Sequence, residues 1–211
     1  SVLCFGDQSG SVLIDSIIGG NTPYDVQWGG VDSSALFAGT YSVHIVDAIG
    51  CLHIEIYVIS QGNQINPNEV LYHPLCYGDS TGSISIDITG GTGPLSYYWL
   101  NGTVADSLYS LTDSVYTLTV IDSVGCIDTF YFSLQGPQLL EVELIVSDSI
   151  LACFGALTLI NAVISGGTSP YLINWSDGDT NQQRDVVAGY YEVEIIDANA
   201  CFSSDSIVII G

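Results

Sequence analysis

Basic residues are almost missing from this chain. Of its 211 residues one is Arg184, none is Lys, and 23 are Asp or Glu, giving a formal net charge of −22. A nucleic-acid partner needs a basic footprint, so that class is excluded, and anionic membrane surfaces are disfavoured on the same ground. Charge of either sign is scarce, at 11%, while 47% of residues are hydrophobic. Such a chain can bury a core and does not read as disordered. No run approaches the roughly 20 apolar residues of a spanning helix, which speaks against direct membrane insertion. No basic segment opens a signal peptide within residues 1–211. There is no Met and residue 1 is Ser, so the chain reads as a mature or excised part of something longer.

What is present repeats three times. Cys4-Phe5-Gly6-Asp7 recurs as Cys76-Tyr77-Gly78-Asp79 and, with Ala156 in place of the acid, as Cys153-Phe154-Gly155. Gly19-Gly20-Asn21-Thr22-Pro23-Tyr24 recurs from Gly90 to Leu95 and from Gly166 to Tyr171. Trp28, Trp99 and Trp175 follow, and Asp47, Asp122 and Asp197 precede a second Cys with a period of 75 residues. That period is too long for a solenoid repeat and suits a small domain. We therefore expect three domains, over residues 1–60, 61–135 and 136–211.

Within each copy the apolar period is two. Tyr41, Val43 and Ile45 alternate with polar neighbours, as do Tyr116, Leu118 and Val120, and Tyr191, Val193 and Ile195. Turn signals come every ten residues or so, and no segment shows a capped helical period. The expectation is all-β: tandem immunoglobulin-like β-sandwiches with a tyrosine corner and a core Trp in each. Leu140 to Val146 reads as a first strand, and residues 61–75 supply the same position in the second copy. Only Ser1, Val2 and Leu3 precede Cys4, so the first copy is expected to lack that strand, to expose an edge and an apolar groove, and to have them covered by a strand from upstream in the same polypeptide or from a neighbouring chain. Its Cys-to-Gly-Gly segment is one residue longer than in the second copy, which predicts a bulge near Asp15 to Ile17.

Six Cys fall two to a copy, 47, 50 and 48 residues apart. Fifteen pairings are possible. Repetition selects Cys4–Cys51, Cys76–Cys126 and Cys153–Cys201, one staple per copy. No Cys-x-x-Cys or Cys/His cluster points to a metal. Disulfides imply an oxidising, extracellular setting.

Taken together, Cys-Phe-Gly-Asp, Gly-Gly-x-x-Pro-Tyr, Trp-x-Asn-Gly and Gly-x-Tyr-x-Val-x-Ile-x-Asp-Ala-x-Gly-Cys resemble the SprB repeat of large surface adhesins of gliding and related Bacteroidota. The resemblance implies a long secreted protein, exported by the type IX system, displayed as filaments on the cell surface and used in adhesion or gliding motility. Ala156, Ala200 and Leu95 depart from the pattern.

Chemistry beyond disulfides has few candidates. His44, His53 and His73 do not recur, and no acid pair recurs beside a nucleophile, so no enzyme is expected. Calcium is the cofactor to consider, at Asp47, Asp122 and Asp197 and in the cluster Asp177-Gly178-Asp179-Thr180-Asn181. The simpler reading is that these Asp cap their own turns. Asp-Ser followed by an aliphatic residue or Thr is similar to the O-glycosylation acceptor of exported Bacteroidota proteins. It places candidate glycans on Ser16, Ser80, Ser107, Ser114, Ser123, Ser149 and Ser206. The acidic residues divide as six, seven and ten over the three copies, and like charge on successive domains favours an extended, soluble array. The expected role is a structural or adhesive segment of a surface filament. Its partners would be neighbouring repeats, copies of the same protein or surface glycans. The alternative is a calcium- or carbohydrate-binding module using Tyr97, Tyr98, Tyr109 or Tyr190.

Overall fold

The structure is a computed structural model that describes residues 1–153 and 155–211. Phe154 of the third Cys-Phe-Gly turn lies outside the described residues. As the period-two pattern predicts, the chain is all-β: fifteen strands and no helix among the described residues. It divides into two compact units, Ser1–Glu69 with Ile86–Asp106 and Thr117–Tyr131, and Val70–Ser85 with Ser107–Tyr116 and Phe132–Gly211.

The third repeat, within the second unit, is the complete version of the motif. One antiparallel sheet runs in the order β10 (Glu141–Val146), β11 (Thr158–Ser165), β13 (Gln183–Val186). The other runs β12 (Leu172–Trp175), β14 (Gly189–Ile196), β15 (Phe202–Ile209). Leu144, Ile160, Ala162 and Val186 of the first sheet share one core with Trp175, Val193, Ile195 and Ile209 of the second. The alternation read in Glu141 to Val146 is the observed one: Val142, Leu144 and Val146 turn inward, Glu141, Glu143 and Ile145 outward. Two antiparallel sheets sharing a core form the immunoglobulin-like sandwich, and its corner is present in every repeat. The hydroxyls of Tyr41, Tyr116 and Tyr191 each donate at 3.0 Å to the carbonyl four residues upstream, on Phe37, Thr112 and Val187.

The second repeat has the same strand orders. One sheet is β4 (Asn66–Tyr72), β5 (Gly82–Thr89), β7 (Ser107–Leu111), and the other β6 (Ser96–Trp99), β8 (Ser114–Ile121), β9 (Ile127–Leu134). The register shifts between Gly82 and Ile84, where Ser110 on the opposite strand adopts φ +57°. A side chain meets steric resistance in that left-handed region, so the extra residue is held by the pairing on either side.

The first repeat differs. It has one three-stranded sheet, β1 (Asp25–Gln27), β2 (Gly39–Val46), β3 (Leu52–Ile59). Of its other sheet only the Gly10–Leu36 bridge is formed, with Val12 N–H donating to Ser33 O at 2.9 Å. The bulge expected at Asp15 to Ile17 is therefore not found: residues 11–18 join no ladder, and the register shift falls in the second repeat. The physical reason is the order of the sheet. In the other copies β5 and β11 are central, held on both sides; their counterpart here has no strand on one side. Trp28 is accordingly only half-buried, against Tyr57, whereas Trp99 and Trp175 are 3% and 2% exposed. The core placement expected of the tryptophans holds in two copies and is partial in the first.

Candidate functional site

Each repeat carries the same aspartate clamp. Asp47, Asp122 and Asp197 are buried, and each accepts three backbone hydrogen bonds. One carboxylate oxygen takes the N–H two residues on and that of the second Cys: Ile49 and Cys51 at 3.1 and 2.8 Å, Val124 and Cys126 at 3.0 and 2.8 Å, Asn199 and Cys201 at 2.9 Å each. The other oxygen reaches across to the double-glycine loop, to Asn21, Thr92 and Thr168 N–H at 3.1, 2.9 and 2.8 Å. The fourth turn residue has positive φ: Gly50 and Gly125 at +88° and +90°, and Ala200 at +66°. The Ala200 departure is thus absorbed with the turn intact. The N–H of Cys51 leads the group of donors that holds the Asp47 carboxyl below its ordinary value. At Asp122 desolvation pushes upward, and the N–H groups of Cys126, Thr92 and Val124 together outweigh it.

The oxygens of Asp47, Asp122 and Asp197 face N–H donors from two loops, which is the turn-capping role and not a set of free ligands. Asp177 and Asp179 are engaged otherwise. Both accept hydrogen bonds from Arg184, whose guanidinium lies over Trp175 and Tyr191, 4.9 and 5.4 Å from the ring centroids. Arg184 holds the Asp177 carboxyl down at about 2. Asp179 is lowered too, chiefly by the Asn181 N–H. Arg184 stands opposite Ile160, as Leu108 stands opposite Ile84, so in the third repeat a paired cation fills an apolar position. Sequence reasoning missed this role; one Arg beside Asp177 and Asp179 in so acidic a chain was the available signal.

The cysteines correct the expected pairing. Cys4 is bonded to Cys126 and Cys76 to Cys201, with Cα atoms 5.4 and 5.7 Å apart, while Cys51 and Cys153 are free and exposed. Every bond therefore joins the first Cys of one repeat to the second Cys of the next. Cys76 and Cys126 are each bonded elsewhere, and Cys4–Cys51 and Cys153–Cys201 fail on distance. Cys51 directly precedes β3, eight residues long, and the Val2–Gln61 bridge beside Cys4 lies past its other end. Cys201 and Cys153 are separated in the same way by β15, with the Ile150–Ile210 bridge at its far end. At about 3.3 Å per residue such a strand spans about 25 Å, whereas a disulfide needs Cα atoms within about 7 Å.

The remaining candidates are dispersed. Ser16, Ser80, Ser114, Ser123, Ser149 and Ser206 are exposed, and Ser107 is half-buried beside Ser85. Tyr98, Tyr109 and Tyr190 are exposed, and Tyr97 is half-buried. Burial, with Asp106 and Asp87 adding to it, raises the Tyr97 phenol above its ordinary value. His53 pairs with Glu55 at 3.2 Å, and His73 Nδ1 accepts from Gln135 N–H at 3.0 Å.

With this geometry in place, the comparisons are specific over one stretch. Residues 73–104 match the family model of the SprB repeat. The matched segment runs from just before the first Cys of the second repeat through its double glycine to just past Trp99. No curated protein matches the chain. Among solved structures, the full ectodomain (Ig1–Ig3) of mouse nectin-like molecule 4 aligns at 10% identity over 88% of this chain and 80% of that one, with TM-score 0.40. Three N-terminal domains of the bacteriophage RB49 highly immunogenic outer capsid protein align at 12% identity over 97% and 93%, with TM-score 0.39. The N-terminal eight Ig domains of Down Syndrome Cell Adhesion Molecule align at 14% identity over 82% of this chain and 28% of that one, with TM-score 0.37. No helix among the described residues is long and apolar enough to cross a membrane.

Proposed function

We propose that the chain is a structural and adhesive segment of a long extracellular surface protein, built from SprB-type repeats each covalently stapled to the next. The observation that carries this reading is the alternating bond pattern, Cys4 to Cys126 and Cys76 to Cys201. A staple across each junction resists pulling on the chain, which is what an adhesive filament has to withstand. It also requires an oxidising compartment. The SprB match at residues 73–104 supports the same reading, as does the recurrence of the clamp in all three copies.

The finer expectations belong to this proposal: three domains, display as a filament, gliding, and glycans on the exposed serines. Neighbouring repeats and copies of the chain are the partners with most support, and surface glycans are the candidate ligand. The role is non-enzymatic and needs no cofactor. Antibodies raised to the 211-residue chain test it on intact cells of the source organism. Staining without permeabilisation, with attachment to a surface reduced by Fab fragments, is expected. Staining only after permeabilisation would overturn it.

A further inference from the structure

The second repeat has both of its sheets formed, and the outward face of one of them has a chemistry of its own. That sheet is β6, β8 and β9. Tyr98 on β6 stands directly opposite Thr119 on β8. The hydroxyls of Thr119 and Thr129 lie 3.4 Å apart across β8 and β9. Two residues along each strand, Thr117 and Tyr131 continue the same face. Leu100 N–H donates to Thr117 O at 3.0 Å and ends that second row. The rings of Tyr98 and Tyr131 are 47% and 72% exposed. None of these positions carries an acid, in a chain with 23 of them.

The fold does not ask for these residues. Inward positions keep one character between copies: Leu118 and Val120 match Val193 and Ile195, and all four are fully buried. Outward positions do not. Counted from the Trp, the clamp Asp and the second Cys, Tyr98 corresponds to Asn174, Thr117 and Thr119 to Glu192 and Glu194, and Tyr131 to Ser206. The third repeat builds the same sandwich with two acids and no ring at these places. Phenols elsewhere serve the fold: the hydroxyls of Tyr24, Tyr41, Tyr116, Tyr171 and Tyr191 each donate to a backbone carbonyl. Those of Tyr98 and Tyr131 have no such partner among the described residues.

Two exposed rings beside a row of hydroxyls narrow the class of partner. A polyanion is repelled by a net charge of −22. A cationic partner finds no carboxylate on the face. A wholly apolar partner would bury the threonine and phenol hydroxyls unpaired, at a cost for each. A second copy would set two chains of net charge −22 against each other. A neutral sugar chain suits both features. Its C–H faces pack on flat phenol rings, and its hydroxyls donate to and accept from those of threonine and tyrosine. Rings fixed on strands lose little freedom on binding. With strands about 4.8 Å apart and about 6.8 Å per two residues, the two rings stand about 12 Å apart, the reach of a short oligosaccharide.

We propose that the outward face of β6, β8 and β9 in the second repeat binds a neutral polysaccharide, with Tyr98 and Tyr131 as stacking platforms and Thr117, Thr119 and Thr129 as the hydroxyl row between them. The proposal rests on the reading of the chain as an adhesive segment with glycans as candidate ligand. It gives that ligand a site and a charge class.

The test runs the intact 211-residue chain on native gels cast with galactomannan, laminarin or dextran, and with alginate as the acidic counterpart. Retardation by at least one of the neutral polysaccharides, and none by alginate, is expected. Tyr98→Asn with Tyr131→Ser copies the third repeat and should weaken retention at least tenfold. Thr119→Glu, which copies Glu194, should do the same. Tyr109→Ser removes an exposed ring from β7, in the other sheet, and should leave retention unchanged. Thermal melts check that each variant folds. A second readout needs no variant: in the isotope-labelled chain, oligosaccharides of the retained polysaccharide should shift the amide signals of Thr117, Thr119 and Thr129. No retention by any neutral polysaccharide, equal retention by alginate, retention unchanged in the doubly substituted chain, or amide shifts confined to other residues would overturn the proposal. Self-association without sugar that is lost with the same two changes would overturn it too, since the face would then belong to a second copy. Antibody staining of intact cells does not depend on either ring, so this test and that one fail separately.

Discussion

At the scale of the residue, the aspartate clamp is the most economical device in the chain. One side chain satisfies three backbone N–H groups and ties the β-hairpin turn to the double-glycine loop. Asp197→Ala leaves those donors buried without partners, and a loss of about 3 kcal/mol in the stability of the third repeat is expected in urea unfolding. The same turn offers a gain. Ala200 holds φ +66°, a conformation that costs an L-residue about 1 kcal/mol, so Ala200→Gly should raise the unfolding free energy by about that amount in urea unfolding. Arg184 gives a pH signature. Its partner Asp177 falls from 3.8 to about 2 on folding. A depressed carboxyl contributes stability above its unfolded value, and that contribution is lost as pH falls from about 4 towards about 2. Arg184→Leu, which copies Leu108, should flatten that acid limb in thermal melts between pH 5 and pH 2 and change neutral-pH stability little. An acid limb as steep as that of the parent would contradict the assignment.

At the scale of the element, the strands that alternate strongly were readable and the broken ones were not. Tyr191, Val193 and Ile195 announce β14 and the tyrosine corner at its start, because a half-buried strand must put every second residue inside. Leu140 to Val146 announces β10 for the same reason, and Leu144→Ala should destabilise the third repeat by about 3 kcal/mol in urea unfolding. Residues 11–18 carry a similar apolar composition yet form no ladder, since a ladder needs a neighbouring strand that composition does not reveal. The loop glycines were visible as a motif, but not their reason. A carbonyl approaching within 1.8 Å of an absent Cβ is a tertiary fact. The clamp lay half in view: turn capping by Asp47, Asp122 and Asp197 follows from local chemistry, and the reach to Asn21, Thr92 and Thr168 does not.

At the scale of the molecule, the cysteine pairing shows how a repeat can mislead. Two Cys per copy suggest one staple per copy, but the second Cys directly precedes a strand past whose far end the first Cys lies. Strand length alone argues for partners in different copies. The bonds close loops of 122 and 125 residues, which on the chain-entropy model is worth about 5 kcal/mol each. A repeat that is not closed by its own disulfide relies on the next repeat for that constraint. The charge has the same scale: one cation, already committed to Asp177 and Asp179, leaves the rest of the surface acidic. The disulfide map tests this account most directly. The chain offers trypsin a single Arg, so the purified protein should be alkylated and digested with pepsin, whose acidic conditions also suppress thiol exchange. Mass spectrometry without reduction is expected to find Cys4 joined to Cys126 and Cys76 to Cys201, with Cys51 and Cys153 alkylated. Peptides joining Cys4 to Cys51, or Cys153 to Cys201, would contradict it.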